Sequence, residues 1–195
     1  MKLSLFDFDG TITYKDSMVD FIQYVVGKYA YYRGLIYLSP MLVAYKLKFI
    51  PNHIAKKKLI AHFFKDWDVE QFQKLADKYS IEQLDKIIRQ KAMTKITWHQ
   101  QQGHKVVIVS ASMECWLKEW CVKNNIDLIA TRLEIIEGQL TGRFATKNCY
   151  GIEKVNRIKE QYNLSEYGVI YAYGDSLGDK EMLSIATKRY YKHFV

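Results

Sequence analysis

The chain has 195 residues, a formal net charge of +8 and 49% hydrophobic residues. That length allows one domain with a sizeable core, or a core with an insertion, and the apolar share excludes a disordered chain. Two prolines and ten glycines exclude a fibrous or low-complexity one.

In chain order, Lys2 to Phe8 (KLSLFDF) reads as a strand that ends at two aspartates, Asp7 and Asp9, followed at once by Gly10. The opening runs straight into acids and is not a signal peptide. From Asp16 to about residue 90 apolar residues recur at three- and four-residue spacing, as in Phe72, Leu75, Ala76 and Tyr79, which predicts helices. Asp68 and Ser80 are candidate N-caps within this stretch. Gly34 to Ile50 is greasy, but Pro40, Lys46 and Lys48 interrupt it. It falls short of the roughly 20 apolar residues of a membrane span and reads as a buried or surface-lying helix. His104 to Ser110 (HKVVIVS) is a second strand, and a helix follows over ECWLKEWCVKN. DLIATRLEII is strand-like, EGQLTGR supplies hairpin turn residues, and YGIEKVNRIKEQY is a helix. YGVIYAYGDS is another strand ending in an acid, and KRYYKHF a short last one.

Strands alternating with helices predict an α/β fold: a Rossmann-like parallel sheet with helices on both faces. The predicted division is an α/β core over 1–15 and 91–195 and a helical-bundle cap over 16–90, inserted after the first strand. Cys115, Cys121 and Cys149 are odd in number and contain no CxxC pair, which fits free thiols in a reducing, cytoplasmic setting.

The polar strand ends carry the chemistry. In a parallel sheet Asp7, Asp9, Ser110 and the Gly174-Asp175 pair converge in one crevice. Three carboxylates so close disfavour joint ionisation unless a cation compensates, and a small set of oxygen ligands suits Mg²⁺. Backbone amides after Asp7, with Thr11, form a cradle for phosphate oxygens. A lysine is also wanted to offset phosphoryl charge, and Lys154 or Lys147 can supply it. A lone DxD or GD at a strand end is ordinary capping. The ordered set DxDGT, strand into Ser, basic helix start, strand into GDxxxD is not.

This set resembles the haloacid-dehalogenase-like hydrolase superfamily, subfamily IB, in its phosphoserine-phosphatase-like branch. DFDGT, VIVSAS, GIEKV and GDSLGD match its four motifs over nearly the whole chain. The resemblance implies a Mg²⁺-dependent phosphomonoester hydrolase working through an aspartyl-phosphate. Asp7 would be the nucleophile and Asp9 the general acid and then base. Asp7, the Asp9 carbonyl and Asp175 would hold the metal, with Gly174 and Asp179 in support. Ser110 and the Ala111 amide would hold a phosphate oxygen, and Lys154 would neutralise charge. Gly10, Thr11 and Asp16 would line the substrate site.

The cap would choose the substrate. Phosphoserine is the weaker candidate, because the first motif carries Gly10 and the cap holds Arg33 but no well-placed arginine for a substrate carboxylate. Lys56, Lys57 and Lys58 would be substitutes, as point charges without a forked contact. The bacterial sister group that this chain resembles includes enzymes of phosphatidylglycerophosphate and related phosphomonoesters. Between Met18 and Lys65 there are eight basic residues and one acidic one, interleaved with tyrosines. That block suits an anionic membrane surface, giving an expected peripheral site at its inner face. The alternative is that it is simply the interior and wet flank of a helical cap. A non-catalytic basic nucleic-acid-binding or membrane-binding protein is the rival from another class. No nucleic-acid motif accompanies the charge, so nucleic acid is not an expected partner. The oligomeric state is not legible.

Overall fold

A computed structural model describes residues 1–195. The chain opens with β1 (Lys2–Phe6) and then runs through α1 (Ser17–Tyr37), α2 (Ser39–Lys46), α3 (Asn52–Phe64), α4 (Val69–Glu82) and α5 (Gln90–Gln101). Next come β2 (Lys105–Met113), α6 (Lys118–Lys123), β3 (Asp127–Thr131), β4 (Leu133–Ile136) and β5 (Gln139–Phe144). It closes with α7 (Ile152–Gln161), β6 (Val169–Gly174), α8 (Lys180–Ser184) and β7 (Lys188–Tyr191).

Five strands form one parallel sheet in the order β3-β2-β1-β6-β7. Both faces of the central strands are covered, which is why β1, β2 and β6 are nearly continuous hydrophobic runs, whereas the edge strand β7 (KRYY) is largely exposed. Leu3, Leu5, Val107, Val109 and Ala172 pack on one side with Ile158 of α7 and Met182 of α8. Phe6, Val106, Ile108, Tyr171 and Tyr173 pack on the other with α5, α6 and the helical segment. The order turns back between β1 and β6, so their carboxyl ends are neighbours at the point where such sheets bind ligands. The Asp7 amide donates to the Tyr173 carbonyl at 2.9 Å and fixes that adjacency.

The helices α1–α4 leave and rejoin the sheet body at one place. Thr13 bridges Ile88, the Tyr14 amide donates to Ile87 at 3.0 Å, and the Arg89 amide to Ile12 at 2.8 Å. Asp16 caps α1 by accepting from the Val19 amide, and Asp68 caps α4 by accepting from the Gln71 amide, each at 3.0 Å. The helical segment is not a detached lobe. Phe21 stacks on Trp116 at 4.7 Å and meets Phe72 and Tyr79 edge-on, so its core is continuous with that of the sheet. The β4–β5 hairpin clasps it from outside, with Asp66 and Val69 amides donating to Leu140 and Gly138 at 2.8 Å.

Three expectations are corrected. Ser80 is not an N-cap: it lies inside α4, where its buried hydroxyl accepts from the Trp120 amide at 2.8 Å. Gly34 to Ile50 is not one helix: the chain breaks at Leu38 between α1 and α2 and turns again at Lys48, φ +64°. DLIATRLEII is two strands: Thr131 ends the sheet strand, and Leu133 begins the hairpin after the Arg132 amide donates to Thr146 Oγ1 at 3.0 Å. No helix is long and apolar enough to cross a membrane. The three cysteines are free.

Candidate active site

The residues after β1 form a tight turn in which the amides of Ile12 and Thr13 donate back to the Phe8 carbonyl at 2.8 and 3.1 Å. Gly10 sits in it at φ +84°, and a Cβ there would overlap the Asp175 carboxylate. Position 10 thus needs glycine both for its left-handed backbone and for the close approach of β6. The turn also separates the two aspartates. Asp7 stays on the sheet floor, whereas Asp9 turns to the start of α1. There its Oδ1 accepts from the Ser17 amide at 2.6 Å and its Oδ2 from Ser112 Oγ at 2.5 Å. The first amides of a helix favour such an anion. Burial, reinforced by Asp16, nevertheless raises the Asp9 carboxyl above its ordinary range, against the pull of Ser112 and Ser17.

Lys154, in the first turn of α7, is 1% exposed and donates to Asp7 Oδ1 and Asp179 Oδ1, each at 2.6 Å. A buried lysine is tolerable only when paired in this way. Burial would push its ammonium down, but Asp7 and Asp179 outweigh that and hold it above the usual lysine range. Asp179 is fixed at its other oxygen by Ser176 Oγ at 2.8 Å and by the amides of Ser176 and Asp175 at 3.0 and 3.2 Å. Burial raises it, yet Lys154 and Ser176 dominate and keep it below the usual carboxylate range. Burial pushes Asp7 up to about 7 despite Lys154, with Asp179 adding to the rise. Gly174 allows this packing, since a Cβ there would overlap that of Asp179.

Thr11 Oγ1 lies 3.1 Å from Asp7 Oδ2 and 3.2 Å from Asp175 Oδ1, and its one proton serves one of them at a time. Carboxylate oxygens of Asp7, Asp175 and Asp179 all lie within 4.8 Å of one another. Three carboxylates against one lysine leave negative charge in excess, and burial with Asp179 raises Asp175 as well. An all-oxygen donor set with uncompensated charge fits a hard divalent cation such as Mg²⁺. The Asp9 side chain is outside this cluster, which leaves its carbonyl as the contribution the family pattern implies. The third carboxylate is Asp179, expected only as a support.

At the end of β2, pairing with β3 jumps from Ser110 to Met113, a bulge that re-aims the strand end. Ser110 Oγ accepts from the Ser112 amide at 3.0 Å. The Ala111 carbonyl accepts from Thr131 at 3.1 Å and from Lys56 Nζ of α3 at 2.9 Å. Above these ends lies a cavity of about 400 Å³. Its floor is Asp7, Asp9, Ser110, Ala111, Lys154 and Asp179, and its roof Leu42, Tyr45, Asn52, Ala55, Lys56 and Leu59. Half-buried Lys56 is lowered below the ordinary lysine range by burial, although Asp9 and Asp16 oppose this.

The structure therefore gathers Asp7, Asp9, Ser110, Ala111, Lys154 and Asp179 around one cavity, with Asp16 at its edge and with Thr11 and Asp175 against Asp7 outside the lining. Lys147 is exposed on a neighbouring cleft beside His53 and Lys57, so Lys154 is the lysine that meets Asp7. Sequence reasoning missed Ser17 and Ser112, which hold Asp9. Periodicity carried no signal for Ser112, because it lies beyond the predicted strand end at Ser110 and within the bulge.

A family model for haloacid dehalogenase-like hydrolases matches residues 4–184. Protein CicA of Caulobacter vibrioides is 32% identical over 195 residues, 98% of this chain and 86% of that protein. A probable phosphatase of Mycobacterium tuberculosis is 28% identical over 191 residues, 92% of this chain and 64% of that protein. Among solved structures, a protein of unknown function from Bordetella pertussis Tohama I matches with a TM-score of 0.83 at 19% identity, over 96% and 88% of the two chains. An apo phosphoserine phosphatase matches with a TM-score of 0.65 at 18% identity, over 95% and 82%. These structural matches speak for the fold.

Proposed function

Since this chain belongs to the haloacid dehalogenase-like hydrolase family, we propose that it is a Mg²⁺-dependent phosphomonoester hydrolase that works through an aspartyl-phosphate on Asp7. The observation that carries this reading is the buried Asp7–Lys154–Asp179 chain with Asp175 and Thr11 beside it, beneath a cavity of substrate size. The probable phosphatase among the relatives supports the same reaction class. Asp7, Asp175 and the Asp9 carbonyl would hold Mg²⁺, with Asp179 beside them. Bound there, the ion supplies positive charge against the phosphoryl oxygens and lets Asp7 approach as a carboxylate.

In the first half-reaction an Asp7 oxygen bonds to phosphorus and the bond from phosphorus to the leaving oxygen breaks. Asp9, whose carboxyl burial raises above its ordinary range, donates a proton to that leaving oxygen. In the second, Asp9 takes a proton from water. The resulting hydroxide bonds to phosphorus, inorganic phosphate departs, and Asp7 is regenerated. Lys154 orients Asp7 and offsets phosphoryl charge, while Thr11, Ser110 and the Ala111 amide hold phosphate oxygens. Ser17 and Ser112 aim Asp9. We take α1–α4 as the cap, with the proposed division at 16 and 90.

The roof supports a leaving group with both apolar and polar parts, since Leu42, Leu59 and Tyr45 surround Lys56 and Asn52. A phospholipid headgroup of the phosphatidylglycerophosphate kind meets that description better than phosphoserine, whose carboxylate would find Lys56 as a point charge and no forked arginine contact.

Phosphate release from p-nitrophenyl phosphate, followed with and without Mg²⁺, tests the reading. Release should need the ion and stop on chelation, and Asp7→Asn should lower it at least about 10³-fold. Turnover retained by Asp7→Asn would put the nucleophile elsewhere. A screen of phosphomonoesters, including phosphoserine and a lysophosphatidylglycerophosphate, then ranks substrates.

A further inference from the structure

From Phe21 to Lys65 the chain has no acidic residue and eight basic ones. This stretch also carries apolar side chains that the fold leaves in water. Helix α2 (SPMLVAYK) buries none of its residues. Around it Tyr29, Tyr37 and Phe49 are 81%, 75% and 79% exposed, and Ile36, Val43 and Leu47 are exposed too. Lys28, Arg33, Lys46 and Lys48 are exposed among them. The other side of the same helices is well seated. Tyr31 of α1 is buried and stacks on Phe63 of α3, 6.0 Å between ring centroids. So the exposed residues stand on a placed scaffold, and they form an apolar surface of the kind that marks an interface.

Helix α2 is also a wall of the cavity. Leu42 and Tyr45 face inward, and the Tyr45 hydroxyl accepts from Asn52 Nδ2 of α3 at 3.1 Å. One face of this single helix lines the cavity while the other lies in the exposed surface.

The chemistry selects the occupant. Lysines are depleted in the centres of protein–protein interfaces, and a second copy docked through a two-fold axis would bring like charges together. Nucleic acid would engage the lysines but has little use for Ile36, Leu47 and Phe49. Aromatic and aliphatic side chains interspersed with lysines, without carboxylates, match the boundary between acyl chains and anionic headgroups. We infer that the outer face of α1, α2 and the Leu47–Ile50 connector docks on a bilayer surface containing anionic phospholipid, with the cavity wall against the lipid. This does not rest on the phosphatase reading, because binding is scored without catalysis.

The test is co-sedimentation of the full chain with vesicles of mixed phosphatidylglycerol and phosphatidylcholine, and with phosphatidylcholine alone. The wild type should sediment with the mixed vesicles, and salt should weaken binding. Lys46→Gln combined with Lys48→Asn should weaken it about 25-fold, from about fivefold per lysine near an anionic surface. Ile36→Ser, Leu47→Ser and Phe49→Ser combined should weaken it at least about tenfold at unchanged charge. Both variants should keep the melting temperature and the hydrolysis of p-nitrophenyl phosphate seen for the wild type. Equal sedimentation on neutral vesicles overturns the inference. So does full binding by the triple serine variant, which would mean that any polyanion suffices, with duplex DNA as the competitor that identifies one. A concentration-dependent dimer that the serine variant abolishes would assign the face to a second copy instead.

Discussion

The floor and the roof of the cavity are built on opposite physical rules. On the floor every charged group is specified by partners: Lys154 by two carboxylates at 2.6 Å, Asp179 by three donors, Asp9 by Ser17 and Ser112. These residues sit on strand ends and first helical turns of a sheet buried on both faces, so their positions follow from the backbone. The roof has one charged side chain, Lys56, among apolar and neutral polar ones, and its helix α2 has no fully buried residue. A floor of this kind fixes where a phosphoryl group goes. A roof of this kind sets what is attached to it, through shape and a single adjustable charge. The difference separates reaction from selection, and it can be broken by substitutions on either side.

The largest effect is expected at Lys154. Lys154→Met removes both 2.6 Å ion pairs and leaves two buried carboxylates unpaired, which should cost about 3–5 kcal/mol of stability in urea unfolding. Turnover should fall by at least about 10²-fold. Adding Asp179→Asn should recover part of the stability and none of the turnover. If the double variant recovers turnover too, the floor is structural and the division fails.

On the roof, Lys56→Gln removes the only charged group and its 2.9 Å bond to the Ala111 carbonyl. Half-buried, Lys56 should matter little for folding, within about 1 kcal/mol. With an anionic leaving group KM should rise about tenfold while kcat changes little, the mark of lost uniform binding. With p-nitrophenyl phosphate the change in KM should be smaller. An equal fall in kcat for both substrates would move Lys56 from selection into the reaction.

The same contrast explains what could be read from sequence. The parallel sheet was legible because β1, β2 and β6 are apolar runs ending in Asp, Ser and Gly-Asp, and strand ends in such a sheet must meet. Spacing alone could not choose Lys154 over Lys147, because the choice depends on how α7 packs against β1. The roof was harder to read. Nothing in KKK marks Lys56 as the inward lysine, since that depends on the phase of α3, whose pattern there is weakly amphipathic. The exposed apolar face was visible as composition only. Periodicity cannot tell a greasy helix that buries itself from one that stays in water. The break at Lys48 depends on a left-handed backbone at a residue type that rarely adopts it.

Behind the floor lies a third layer, and it sharpens the comparison with the smallest effect. His99 is fully buried on α5, with Nδ1 2.8 Å from Ser4 Oγ and 2.7 Å from His104 Nδ1, and Nε2 2.9 Å from the Tyr173 hydroxyl. Burial, with His104 and Lys95 adding, pushes its imidazole from 6.5 down to about 3. The folded chain therefore holds this ring neutral where the unfolded chain protonates it. Stability from this ring is full above about pH 6.5 and is lost as pH falls toward about 3, at up to about 1.4 kcal/mol per pH unit. The raised carboxyls of Asp7, Asp9 and Asp175 act in the opposite sense, so the wild type alone does not isolate the ring. The difference between wild type and His99→Gln does. That difference should shift by less than about 1 kcal/mol between pH 8 and pH 6, in the direction that makes the variant less acid-sensitive, and then steepen. Turnover at pH 8 should be nearly the same in both proteins, because the ring touches no floor group directly and reaches the floor through the sheet strands, at Tyr173 of β6 and at Ser4 and Phe6 of β1. A large loss of turnover in a variant that melts normally would mean that this layer positions Asp175, and the floor would then extend through the sheet.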